Sequence, residues 1–260
     1  MKPWFILIAA PLLAHDLYLM PERFLVSPGE RVAVGLHNGD AFPESETPPV
    51  LARVKDASMW AGGNAYNMTN LREDGKRGLV DVVIKQNGTP LLAVRTAPNV
   101  LELEAAKFHA YLEEDGLEQV IEWRKKNGEE SKPGKERYSK FAKALLLANR
   151  PDDTWKRRAG HTIEFVPEQN PYASKAGGTV PFVLLVRGKP AGDVRIELAR
   201  ARDGAGEVTL LGRTDSNGRM VIPLTTPGVY RLHAIHIERC SEPAAADWES
   251  FWATFTFEVR

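Results

Sequence analysis

The last strand of the chain constrains its fold most. Phe251, Ala253, Phe255, Phe257 and Val259 occupy one set of alternate positions, and Trp252, Thr254, Thr256 and Glu258 the other. A period of two places successive side chains on opposite faces of a strand, so this segment predicts an antiparallel strand half-buried against a second layer. Similar apolar segments precede it: Thr179 to Arg187, Val194 to Ala201, Val208 to Arg213, Arg219 to Leu224 and Gly228 to Ile237. Turns at Gly188-Lys-Pro190, Asp203-Gly-Ala-Gly206 and Asp215-Ser-Asn-Gly218 separate several of them. About six short strands in about a hundred residues predict a β-sandwich over 159–260.

The region 15–158 predicts a second β domain. Arg31 to Leu36 follows the turn Ser27-Pro-Gly-Glu30, while Leu79 to Ile84 and Leu91 to Arg95 flank Asn87-Gly88, a pattern that predicts a hairpin. Asp40 to Pro49 and Ala61 to Asn70 read as exposed loops. A helical insertion is expected at about 101–149. Phe108, Leu112, Leu117, Val120 and Ile121 recur at helical spacing, with Gly116 dividing two pieces. After a linker at Lys132-Pro-Gly-Lys135, Tyr138, Phe141, Ala142, Leu145 and Leu146 predict a further amphipathic helix ending near Asn149 and Pro151. The predicted class is therefore mainly β: two sandwich domains, the first carrying an α-helical hairpin.

Residues 1–14 read as a signal peptide. Lys2 precedes an apolar run from Trp4 to Leu13, too short for an ordinary membrane span, and Ala14 is small enough to precede a cut. Such a cut makes His15 the mature N-terminus, with an α-amine beside its imidazole; a cut one residue earlier makes His15 the second residue. A periplasmic or secreted protein is expected, with no membrane span after the signal. The 34 basic and 34 acidic side chains balance, which argues against nucleic acid or anionic lipid as a partner. Cys240 is the single cysteine, so neither an internal disulfide nor a multi-thiolate zinc site can form.

Thr214-Asp-Ser-Asn-Gly-Arg-Met-Val-Ile-Pro-Leu224, followed by Pro227-Gly-Val-Tyr230, resembles the transthyretin-like, carboxypeptidase-regulatory type of seven-strand sandwich. Further segments are more specific: Leu103 to Leu112, Glu136 to Leu145, Gly160-His-Thr-Ile-Glu-Phe-Val-Pro167 and Asp247 to Thr256, with Ala14-His-Asp16. Together they resemble a bacterial periplasmic family of unknown function termed NikM-like, after supposed substrate-specific components of nickel or cobalt uptake. The resemblance runs from His15 to the C-terminus. It implies a nickel or cobalt ion as cargo and a transporter component at the inner membrane as a possible partner; it brings no membrane-spanning subunit with it.

A mature N-terminal His15 would chelate through its amine and Nδ1, and further imidazoles or carboxylates would complete a nickel, cobalt or copper site. The plain alternative is the first ordered residue of a strand whose Leu17 and Leu19 pack inward. His233 and His236 lie three apart on one predicted strand and point to opposite faces. His236 is preferred, because it shares a face with Glu238 and its position resembles the family pattern. His161, in the Gly-His-Thr motif, and Asp247 and Glu249 are the other candidates, as ligands or as acceptors for the histidines. Trp248 and Trp252 suit core packing better than a sugar platform. No Gly-x-Ser-x-Gly elbow, phosphate loop or His-Glu-x-x-His run is present, so catalysis is not expected. The candidate function is divalent transition-metal binding in support of uptake. The alternative is a metal-free cell-envelope module that binds a protein or glycan, and a copper oxidase or oxygenase is a distant third.

Overall fold

The computed structural model describes residues 15–260; the expected signal segment lies outside the described residues. Among the described residues the largest sheet has nine strands. From one edge the order is Ala205–Arg213, Arg195–Arg202, Gly228–Arg239, Trp248–Val259, Gly134–Leu145, Leu91–Thr96, Val54–Ala61 and Asn64–Asn67, with Asn99–Leu103 also paired to Gly134–Leu145. The seam at its centre is parallel: Glu136 lies opposite Trp248 and Ala144 opposite Thr256. The two segments divided at residue 158 in the sequence reading therefore share one sheet instead of each closing its own.

Each face of this sheet is covered, which produces three layers. On one face, strands Ile163–Pro167, Gly178–Val186 and Arg219–Leu224 pack against Leu91, Phe141, Leu145, Tyr230, Leu232 and the odd-numbered row Phe251 to Val259. On the other, Leu17–Pro21, Arg31–Asn38 and Arg77–Val83 bury Leu17, Leu19, Val34, Leu36, Val80 and Val82 against Leu92, Val94, Ala142 and Ala144. The N-terminal strand is also tied across the layers. Thr254 and Thr256 donate their hydroxyl protons to the carbonyls of Leu17 (2.7 Å) and Leu19 (2.6 Å).

Two helices, Ala105–Glu114 and Glu118–Lys126, cover the rest of that second face. Gly116 sits between them at φ +65°, a left-handed conformation that suits glycine, as the sequence pattern anticipated. Phe108, Tyr111, Leu112, Leu117 and Val120 pack on Ile235, Ile237, Trp248 and Trp252, so the tryptophans belong to a core. Gly134 admits this contact, because a Cβ there would run into the Phe108 ring.

Three local expectations are corrected. Gly134–Leu145 is a strand, not a helix, and it lies between covering layers on both faces. Phe141 and Leu145 enter one core while Ala142 and Ala144 enter the other. That burial outweighs the helical bias of its alanines and lysines. Trp248–Val259 is likewise buried on both faces instead of one, because its second row meets the N-terminal strand and the helices. Arg77–Val83 and Leu91–Thr96 do not form a hairpin; the Asn87-Gly88 turn carries the chain from one layer to another.

Candidate metal centre

His15 and Asp16 enter the fold at the start of the Leu17–Pro21 strand, where the nine-stranded sheet, its covering strands and the Asp40 loop meet. Their backbone is held from two sides. Lys140 Nζ donates to the His15 carbonyl, and the Asp16 N–H donates to Asp40 Oδ1 at 3.1 Å. Lys140 is itself buried on the central strand, and burial lowers its ammonium to about 8, a fall that the carboxylates of Asp16 and Asp40 moderate.

Two groups of metal-capable donors stand here, one on each side of this dipeptide. In the outer group, His15 Nδ1 lies 3.1 Å from Asp40 Oδ2 and 3.6 Å from Glu46 Oε2. Backbone amides set the carboxylates in place, since Asp40 N donates to Glu46 Oε2 at 2.6 Å. The half-exposed imidazole also forms one wall of a cavity of about 330 Å³, lined in addition by Thr47, Pro49, Arg53, Tyr138 and Lys140.

The inner group is Asp16, Glu197 and His233. His233 Nε2 is 3.0 Å from Asp16 Oδ1, and Arg231 reaches Asp16 Oδ2 at 2.9 Å and Glu197 Oε1 at 2.8 Å. Asp16, Arg231 and His233 are buried. Stacking on Trp252, with centroids 5.7 Å apart, fixes the His233 ring. These side chains border a cavity of about 220 Å³ in which Asp16, Asp40, Glu114, Asp115 and Glu197 face only Arg195 and Arg231. Burial pushes the Asp115 carboxyl well above its usual range, and the neighbouring Asp16 and Glu114 push the same way. Asp40 borders this cavity and touches His15, which makes it common to both groups.

In each group the three donor atoms lie within 4.8 Å of one another, and the described residues contain no other such group. Of the residues chosen from sequence, only His15 belongs to either. The gathering of His236, His161, Asp247 and Glu249 around His15 is thereby corrected. His236 faces Glu238 at 3.5 Å, as their shared face suggested, but Glu238 is engaged by Arg187. His161 is buried against Phe141 (centroids 5.2 Å apart), and burial followed by the Lys143 charge lowers its imidazole to about 4. Asp247 Oδ2 accepts from the Lys135 N–H at 3.0 Å, and Glu249 accepts from Arg137 Nε at 2.9 Å. Each is already committed to holding the sheet together.

The reading of His233 is reversed as well. The strand does send His233 and His236 to opposite faces, but the carboxylates wait on the His233 side. Asp16, Asp40, Glu46 and Glu197 were missed. Asp16 had one signal, its place beside His15; the others come from an apparent loop and from a strand far away in the chain.

Fold and site together define a three-layered, mainly β protein with a histidine–carboxylate centre at its N-terminal edge. The chain belongs to the family described as a domain of unknown function (DUF4198), whose pattern matches residues 12–238. No curated protein matches it. Among solved structures it is similar to the D0-D1 domain of intimin, with 11% identity and a TM-score of 0.23 over 94% of this chain and 98% of that one. It is also similar to the Yersinia pseudotuberculosis adhesin InvE, with 12% identity and a TM-score of 0.23 over 92% of this chain and 58% of that one. A third is SGBP-B of the Bacteroides ovatus mixed-linkage glucan utilization locus, in complex with a mixed-linkage heptasaccharide. It has 10% identity and a TM-score of 0.23 over 94% of this chain and 47% of that one. Likeness at this level carries no inference about ligands. No helix among the described residues is long and apolar enough to cross a membrane.

Proposed function

We propose that the protein captures a divalent transition-metal ion, nickel or cobalt with copper as a competitor, at His15, Asp40 and Glu46, and supplies it to an uptake system of the cell envelope. The observation that carries this reading is the outer group itself: one imidazole nitrogen and two carboxylate oxygens converging at a half-exposed position. The donor set fits such ions. Imidazole suits nickel, copper and zinc, and the two negative carboxylates balance a double positive charge. The resemblance to NikM-like proteins supports the same cargo.

In this reading the ion is cargo. His15 supplies Nδ1, and where processing leaves His15 first, its α-amine adds a second nitrogen to the same chelate. The contacts from Lys140 and the Asp40 N–H place the donors before the ion arrives, so little ordering entropy opposes binding. Acid releases the ion, because protons compete for the imidazole and the carboxylates. Half exposure of the group suits a protein that must both load and unload.

The test is mass spectrometry of the exported protein, to define its first residue, followed by calorimetry with Ni(II), Co(II) and Cu(II). Micromolar or tighter binding is expected, weakened by about tenfold or more in His15→Ala, since even the loss of a supporting contact typically costs that much. Binding that His15→Ala leaves unchanged would overturn the reading, and no binding of any of these ions would return the protein to the metal-free envelope module.

A further inference from the structure

The imidazole of the inner group is buried, and its contacts are incomplete in a telling way. His233 Nε2 lies 3.0 Å from Asp16 Oδ1, yet it has no hydrogen-bond partner because the two groups are not aligned for one. The residue is 8% exposed, so water does not readily satisfy that nitrogen from outside. Leaving a buried polar atom unpaired is costly, and native folds seldom accept this without a reason. Two such atoms about 3 Å apart that make no hydrogen bond to each other stand at the spacing of neighbouring ligands of one ion at first-row bond lengths of about 2.0–2.2 Å.

The surroundings favour a cation. Leaving aside Asp115, whose carboxyl burial pushes up, four carboxylates face two guanidiniums around the cavity. Arg231 lies 2.8 Å from Glu197 Oε1 and 2.9 Å from Asp16 Oδ2, which leaves Asp16 Oδ1 toward His233. The cavity, at about 220 Å³, has room for an ion together with several waters, each of which takes about 30 Å³. The stacked Trp252 fixes the imidazole plane, as a supporting contact does for a ligating histidine.

We infer that Asp16, Glu197 and His233 form a second, inner site for a divalent transition-metal ion, distinct from the outer group and joined to it through Asp40 and the His15–Asp16 peptide. The inner site uses neither the His15 imidazole nor an N-terminal amine, so it stands or falls separately from the outer one. Its burial suits retention of an ion, where the outer group suits exchange.

The experiment is a Co(II) chloride titration of the full processed chain, with bound metal counted after dialysis. Two ions per chain are expected in the parent, one in His15→Ala and one in His233→Gln. In Co(II)-loaded His15→Ala, paramagnetically shifted histidine ring resonances should appear and then vanish on adding His233→Gln. Glu197→Gln, at a half-exposed strand position, takes the place of His233→Gln if circular dichroism shows that variant unfolded; about tenfold weaker binding is expected from it. A His15→Ala protein that binds no ion overturns the inner site, as does one whose ion is unaffected by His233→Gln or Glu197→Gln. If instead the parent binds one ion that survives His15→Ala and is lost with His233→Gln, the outer reading fails and the inner site stands.

Discussion

Two buried ionic groups lie on opposite faces of the central sheet, and they are built differently. On one face Lys143 Nζ donates to Glu164 Oε2 and to the Phe165 carbonyl, each at 2.8 Å. Glu164 also accepts from the N–H groups of Ala159 (2.8 Å) and Gly160 (3.0 Å). Burial depresses the Lys143 ammonium, and although burial alone would raise Glu164, Lys143 and the backbone amides hold its carboxyl below the usual range. Lys143 and Glu164 are both fully engaged there, and the unpaired atom nearby is the single His161 Nδ1. On the other face Asp16, Glu197, Arg231 and His233 are also gathered, but they border a cavity, carry surplus negative charge and leave His233 Nε2 and Arg231 Nε and Nη1 without hydrogen bonds. A closed network acts as a structural tie, whereas an open one has capacity for a ligand.

The largest expected effect breaks the closed group. Lys143→Met leaves the Glu164 carboxylate buried without its cation and should cost about 3–5 kcal/mol in urea unfolding, with metal stoichiometry unchanged in the folded protein. A loss below about 1 kcal/mol would show that the pair is not the tie described.

Acid probes the same face. His161 titrates near 4 in the fold, lowered from 6.5 by burial and by Lys143. Between these values the unfolded chain binds a proton that the folded chain refuses, so stability is full above about pH 6.5 and declines toward pH 4. The decline from this group should reach about 3 kcal/mol. Glu164 adds to it at lower pH, because a depressed carboxyl gives stability that disappears as pH falls through its folded pKa. Unfolding midpoints measured across pH 4–7 should show the slope, and His161→Phe should flatten it above pH 4; an unaltered slope would place the proton uptake elsewhere.

The smallest expected effect sharpens the contrast. His233→Gln removes a ring whose Nε2 makes no hydrogen bond and should shift metal-free stability by only about 1 kcal/mol or less. A loss as large as that of Lys143→Met would make the inner group another structural tie.

Much of the local structure was legible. The alternation from Phe251 to Val259 survives as one continuous row in a core, and the helical pieces on either side of Gly116 lie where the spacing put them. Tyr138 to Leu146 misled because Ala142, Ala144 and Leu145 suit a helix face as well as a strand buried on both sides. Only the layers above and below distinguish the two. The site was legible at a single residue, His15. Choosing between His233 and His236 depended on which face would meet Asp16 and Glu197, and a strand's own sequence does not carry that.

The sequence by itself determined the mainly β character, the placing of most strands, the single cysteine and the imidazole beside an acidic residue at positions 15 and 16, because these follow from local periodicity and composition. The tertiary structure decided that Gly134–Leu145 and Trp248–Val259 pair in parallel, and so merged two expected sandwiches around one sheet. It also decided which donors converge. Asp40, Glu46, Glu197 and His233 are far apart along the chain, and only the packing of layers brings their atoms within coordinating distance of His15 or Asp16.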